Sequence, residues 1–267
     1  MSELVGLDPH TLLRAAIFVG VLGVMMLWEV FAPRRVVAAP RVLRWVSNLG
    51  VSVLNRILIA LIASLVGLGA ALTGEQAGWG LFHRWQVPGW LVFAGSVVLL
   101  DLVVYLQHRV LHAVPWLWRL HRMHHADVEL DATSGVRFHP FEALISLIVK
   151  AVAVLAIGAP AMAVLVFELL LNATSVFNHS NVRIPLGVDR VLRWVLVTPD
   201  MHRVHHSVRV EELSRNFGFN MPWWDRLFRT YRDQPADGHE HMTIGLEQFR
   251  SREEMRLDRM LVQPFKR

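Results

Sequence analysis

Cysteine is absent from the 267 residues. That removes disulfides, iron–sulfur clusters, thiolate nucleophiles and cysteine-based zinc sites, and leaves no thiol to report on redox compartment. Lysine occurs only at Lys150 and Lys266, so arginine carries nearly all of the positive charge behind a net +5 and a pI of about 10.6. Charge of either sign is scarce: 18% of the chain, against 54% hydrophobic residues and a mean hydropathy of +0.38. A soluble domain of this size needs more charge to cover its surface, so composition points to a membrane protein. The arginines sit beside apolar runs, which fits anchoring to anionic lipid and argues against nucleic acid as a partner.

Long apolar runs are what the chain does have. Leu12 to Phe31 is long enough to span a bilayer and lacks the small-residue cleavage site of a removed signal peptide. A basic segment with Arg34, Arg35, Arg41 and Arg44 follows, then a shorter run over Ile57–Leu72 closed by a loop with Gly74, Gly78, Gly80 and Pro88. A third run from Gly89 to Leu106 contains one acid, Asp101. The stretch from Phe141 to Phe177 is broken at Gly158-Ala159-Pro160 and reads as a helical hairpin. The expected fold is therefore all-α and polytopic: three spanning helices, a hairpin, and a histidine-rich helical cap, forming one membrane-embedded domain over 1–267. Five arginines between Pro33 and Arg56, against Arg84 alone between Leu72 and Gly89, place the first loop in the cytoplasm and the N-terminus outside. With Ala159 as the hairpin apex, Lys150 and Glu168 each lie nine residues away and are expected to pair at one depth.

Histidine is in excess, with 14 residues. The charge-derived topology puts ten of them on one face of the membrane. His108 and His112 (HRVLH) are four apart; His121, His124 and His125 (HRMHH) and His202, His205 and His206 (HRVHH) stand at i, i+3 and i+4. Those spacings share one helix face and bring side chains close enough to meet on an ion. His139 and His179 stand at the two cytoplasmic ends of the hairpin. A lone histidine is usually a surface or hydrogen-bonded residue, and His10, His83, His239 and His241 are read that way. Imidazole suits zinc, copper, iron and nickel, and spacing does not choose among them. Eight to ten ligands exceed what one ion can use, so two ions are implied.

At these boxes the chain resembles the fatty acid hydroxylase and sterol desaturase superfamily, known by H-x3-H, H-x2-H-H and H-x2-H-H. The likeness extends outward to Asp101 and Tyr105 before the first box, and to Thr198-Pro199-Asp200-Met201 before the third. After it come Asn216-Phe217-Gly218 and Trp224-Asp225-Arg226-Leu227-Phe228, so that it covers about 97–231. One departure is Arg229, where the family usually has glycine. The resemblance implies a non-haem di-iron oxygenase that uses O2 to hydroxylate or desaturate a C–H position of a lipid. Its two irons would be held by the ten histidines, with Asp101, Tyr105 and Asp200 as candidates behind them. With no cysteine for a cluster and no evident haem or flavin domain, the electrons are expected from a separate donor protein; the charge-derived topology makes the metal site and C-terminus cytoplasmic, in a bacterial inner membrane. Asp101 precedes His108 by seven residues and His112 by eleven, so at about 100° per residue the three fall near one line, and Asp101 is expected to face the metals.

Two other classes compete. A membrane zinc hydrolase would use a glutamate base, but H-E-x-x-H is absent and eight ligands are more than it needs. A metal transporter would carry polar residues along its helices on both sides, whereas these clusters gather at one face.

Overall fold

The computed structural model describes residues 9–66, 78–84 and 87–266. Gly74, the end of the Ile57–Leu72 run and the side chain of His10 lie outside the described residues. Among the described residues, five helices are long and apolar enough to cross a membrane. They are α1 (Pro9–Phe31), α2 (Arg41–Val66), α3 (Gly89–Ala113), α5 (Pro140–Ile157) and α6 (Ala161–His179). The short α4 (Pro115–His125) lies between α3 and α5. After α6 come α7 (Leu186–Leu192), α8 (Pro199–His205), α9 (Val210–Leu213), α10 (Trp223–Leu227), α11 (Gly238–His241) and α12 (Leu257–Val262).

Val97, Leu100, Ala153, Ile157, Ala163 and Phe167 pack α3, α5 and α6 together, while Val19, Leu27, Ile148 and Val152 point outward, as expected of helices with lipid on one side. The hairpin turn is where the sequence places it. Gly158 (φ 71°) caps α5 in the left-handed region, and a Cβ on the facing Gly80 would lie 2.3 Å from the Gly158 nitrogen. Only glycines allow that approach. His83 packs here, at the apex of the hairpin.

Two expectations change. The basic segment is not a loop through Arg56: α2 begins at Arg41, and its polar side chains form a stripe at helical spacing. Arg44 donates to Asp127 (2.6 and 2.9 Å) and Asp131 (2.6 Å), Asn48 to Asp127 (3.1 Å) and Thr133 (3.0 Å), and Asn55 to the Phe138 carbonyl (2.8 Å). The stripe is buried against the segment 127–138, so arginine here binds the cap rather than lipid. Burial alone would push the Asp127 carboxyl up, but Arg44 and Arg137 overcome it and hold the group well below its usual range. Glu168, second, pairs with Arg14 of α1 at 2.8 Å and not with Lys150. Equal depth on a hairpin does not decide which face a side chain takes, and α1 packs along α6.

Candidate metal centre

Three proline-initiated helices set the site. Pro115, Pro140 and Pro199 each stand in a first turn, where their missing N–H costs nothing. Val114, extended before Pro115, ends α3 just after His112 and turns the chain so that α4 lays the second box against the first. Thr198 accepts from Met201 N (3.3 Å) to start α8 and the third box. The ends of α3 and α6 bring His108, His112 and His179 to the same place.

Nine histidines converge there as two groups. His108, His112, His121, His125 and His205 form one; His124, His179, His202 and His206 form the other. Within each group the ligand nitrogens lie within 4.8 Å of one another. The boxes divide by helical geometry. In HRMHH the i, i+4 pair His121/His125 joins the first group and His124 the second; in HRVHH the pair His202/His206 joins the second and His205 the first. Rings of the two groups touch, with His125 stacked on His206 at a centroid distance of 4.4 Å.

The tautomers are set from outside. Nδ1 of His108 donates to the Phe217 carbonyl (2.7 Å), that of His205 to the Arg215 carbonyl (2.7 Å), and that of His124 to the Arg137 carbonyl (3.2 Å). His179 Nδ1 donates to Ser175 O (2.7 Å) and Asn178 Oδ1 (2.6 Å), and His121 Nδ1 to the Glu142 carboxylate (2.7 Å). With those protons on Nδ1, only lone pairs remain at Nε2. Yet the Nε2 atoms of His108 and His121, of His108 and His205, and of His124 and His179 stand 3.1 Å apart. Such contacts cannot be hydrogen bonds and would repel without a shared cation. Ligands at right angles on a metal–nitrogen bond of about 2.1 Å are about 3.0 Å apart, close to what is seen. Burial first, then the neighbouring imidazoles, holds His124, His125, His202 and His206 well below the ordinary imidazole value, and burial pushes His205 down to about 3. These rings are uncharged at neutral pH and free to bind a metal. The donor set therefore fits two metal ions.

His139 is a correction. It caps α5: its Nδ1 accepts from Phe141 N (3.2 Å), its Nε2 donates to Leu261 O (3.2 Å), and it joins neither group. A histidine directly before Pro140 takes the N-cap, so position at the hairpin end did not imply ligation. The three candidates behind the metals touch other partners. Asp101 accepts from Trp224 Nε1 (2.8 Å), Tyr105 bonds Thr230 (2.8 Å), and Asp200 pairs with Arg34 (3.1 Å) and Arg203. Asp101 and Tyr105 act one step removed: they dock the 216–231 segment whose Phe217 carbonyl orients His108. Among the described residues, the carboxylate that bonds one of the nine converging histidines is Glu142, and an acid in the first turn of an apolar helix was its signal in the sequence. His239, read as a tail residue, is buried, with its Nε2 3.7 Å from Asp200.

Arg229 takes φ 59°, the left-handed region where glycine is at ease, so the departure from the family pattern stands at a strained position.

These features describe a helical protein with several candidate membrane spans and two adjoining histidine groups that could hold metal ions. The chain belongs to the fatty acid hydroxylase family, whose pattern matches residues 93–230. Ornithine lipid hydroxylase OlsE of Rhizobium tropici is 29% identical over 155 residues, 57% of this chain and 46% of that protein. Alkylglycerol monooxygenase of Xenopus tropicalis is 29% identical over 55% of this chain and 31% of its own length. A cholesterol 25-hydroxylase-like protein of Danio rerio is 27% identical over 51% of this chain and 54% of its own. The chain thus spans about half or less of the length of these relatives. No solved structure matches it.

Proposed function

We propose that the chain is a di-iron oxygenase that uses O2 and external electrons to hydroxylate or desaturate a C–H position of a membrane lipid. The observation that carries this reading is the set of opposed Nε2 lone pairs in two adjoining groups of five and four histidines. Five ligands on one ion exceed the usual four of zinc, which favours iron over the hydrolase reading. Glu142 bonds His121 at Nδ1, on the side of the ring away from the converging Nε2 atoms, which is not where a hydrolytic base would meet an ion-bound water. Two adjoining groups also differ from the file of ligands that a transport path would need.

When bound, the ions would supply O2 reduction and the oxidising power to break a C–H bond. The chain's residues do the rest. His108, His112, His121, His125 and His205 would hold one ion, and His124, His179, His202 and His206 the other. Glu142, Asn178 and the carbonyls of Phe217, Arg137, Ser175 and Arg215 keep the rings turned inward. Cavities of about 530 and 650 Å³ both reach His112. The first has Arg122, Glu247 and Gln248 on its wall; the second is mostly apolar and lies along α3. His112 is thus reached from a polar side and from a lipid side.

We further infer that the metal face and C-terminus are cytoplasmic and the N-terminus outside, in a bacterial inner membrane, and that electrons arrive from a separate protein. Purified protein should contain two iron ions per chain and, with a chemical reductant, should incorporate 18O from 18O2 into added membrane lipid extract or convert it to an unsaturated product. Stoichiometric zinc with no O2-dependent product would overturn the reading.

A further inference from the structure

The cavity beside α3 carries a cation that the metal centre does not use. Its wall includes Leu106, Arg109, Val110, Phe217 and Thr230, with His112 among the residues it reaches. Leu106 and Val110 lie on the exposed face of α3, so the cavity opens sideways toward the bilayer. Its depth follows from helix length. From exposed Trp90, at the boundary where tryptophan concentrates, about 30 Å of hydrocarbon takes about twenty residues at 1.5 Å each. That reaches Arg109. The guanidinium lies 5.9 Å from the ring centroids of both Tyr105 and Phe228, so two aromatic faces hold it. Asp225, the acid of this region, accepts from Phe217 N, Gly218 N and Thr230, and the Arg109 charge acts on both it and Tyr105. Tyr105 and Thr230 bond each other. A half-buried arginine at the edge of the hydrocarbon, with an apolar cavity beside it and a metal ligand at the inner end, has the layout of an anchor for a charged lipid end.

We propose that Arg109 binds the anionic headgroup oxygens of the substrate, carboxylate or phosphate, and that the attached chain lies along Leu106 and Val110 with access to His112. This rests on the lipid reading above and narrows it to substrates with an anionic polar end.

The test is equilibrium binding to the purified, metal-loaded full chain in phosphatidylcholine nanodiscs. The radiolabelled probes are palmitate, hexadecyl phosphate and hexadecanol, which share one chain and differ at the polar end. A charge-assisted, fork-shaped contact predicts that the wild type binds at least one anionic probe about tenfold or more above hexadecanol. Whichever anion is preferred identifies carboxylate or phosphate. Arg109→Gln should bind all three alike. Arg109→Lys should keep a reduced preference, because it keeps the charge without the fork. Val110→Trp should weaken all three together while the anionic preference survives. Metal content of each variant reports intact folding. Equal binding of the three probes by the wild type, or an undiminished preference in metal-replete Arg109→Gln, would overturn the anchor and leave the lipid reading in place. Failure of every probe to bind the wild type would overturn both.

Discussion

Replacing Glu142 tests the metal centre without touching a ligand. The carboxylate is buried and accepts from His121 Nδ1 at 2.7 Å, holding that ring with Nε2 toward His108 and His125. Loss of a carboxylate behind a ligating histidine lowers metal affinity by roughly 10- to 100-fold, or about 1.4–2.7 kcal/mol. Glutamine keeps a neutral acceptor, so Glu142→Gln should fall near the tenfold end. Glu142→Ala leaves the N–H buried without a partner and should fall near the hundredfold end. The effect should be confined to one ion. His121 belongs to the five-histidine group, so a chelator titration of purified protein, followed by elemental analysis, should show one of two ions leaving early. Asn178→Ala should weaken retention of the other ion instead, and more mildly, because the Ser175 carbonyl still accepts from His179 Nδ1. A wild-type chelator curve for Glu142→Ala would refute the reasoning, and simultaneous loss of both ions would refute its confinement to one group.

His139→Ala should keep full metal content by elemental analysis and cost about 0.5–2 kcal/mol in denaturant stability, the worth of an N-cap; loss of an ion would restore it to the ligand set. Arg44→Met should lower stability by about 3–5 kcal/mol by leaving Asp127 and Asp131 buried without their cation, and adding Asp127→Asn should recover part of that in a thermal melt. Arg229→Gly should raise stability by about 0.5–1 kcal/mol by relieving a left-handed arginine; no change would mean the strain is absorbed elsewhere. Burial pushes the His239 imidazole down to about 3, although Asp200 beside it pulls the other way. Between about pH 6.5 and 3 the unfolded chain therefore binds the proton that the folded chain refuses, so stability falls as pH drops through that window. His239→Gln should make the slope shallower by up to one proton, about 1.4 kcal/mol per pH unit, and an unchanged slope would show that His239 does not contribute.

The helical architecture was legible because two periodic signals are strong: apolar runs of spanning length, and histidines at i, i+3, i+4. The hairpin turn was legible from Gly158 and Pro160. What escaped was whatever depends on a partner distant in sequence. Arg44 looks like a loop charge until Asp127 and Asp131 are seen around it. Glu168 finds Arg14 on another helix, not the lysine at matching depth. His139 and His179 are equivalent by symmetry about the hairpin apex, yet one precedes a proline and caps a helix while the other ends a helix and turns inward. The groups that orient the rings are largely main-chain carbonyls, which carry no side-chain signature, and Asp101, although on the expected line, is taken up by Trp224. The division of each box between the two histidine groups follows from i, i+4 pairing, but becomes visible only once the boxes face each other.

The polar stripe on α2 has a consequence for biogenesis. This helix is the least apolar of the five candidate spans, and the groups that satisfy Arg44 lie 83 and 87 residues further along the chain. During synthesis the translocon meets Arg41–Leu61 long before Asp127 and Asp131 emerge, and an unpaired arginine is costly in hydrocarbon. The first turns of α2 are therefore expected to stay at the aqueous boundary until the second histidine box and the segment after it have been made. Seating of α2 is thereby linked to one side of the histidine groups, with Asn48 bonding both Asp127 and the Arg137 whose carbonyl orients His124.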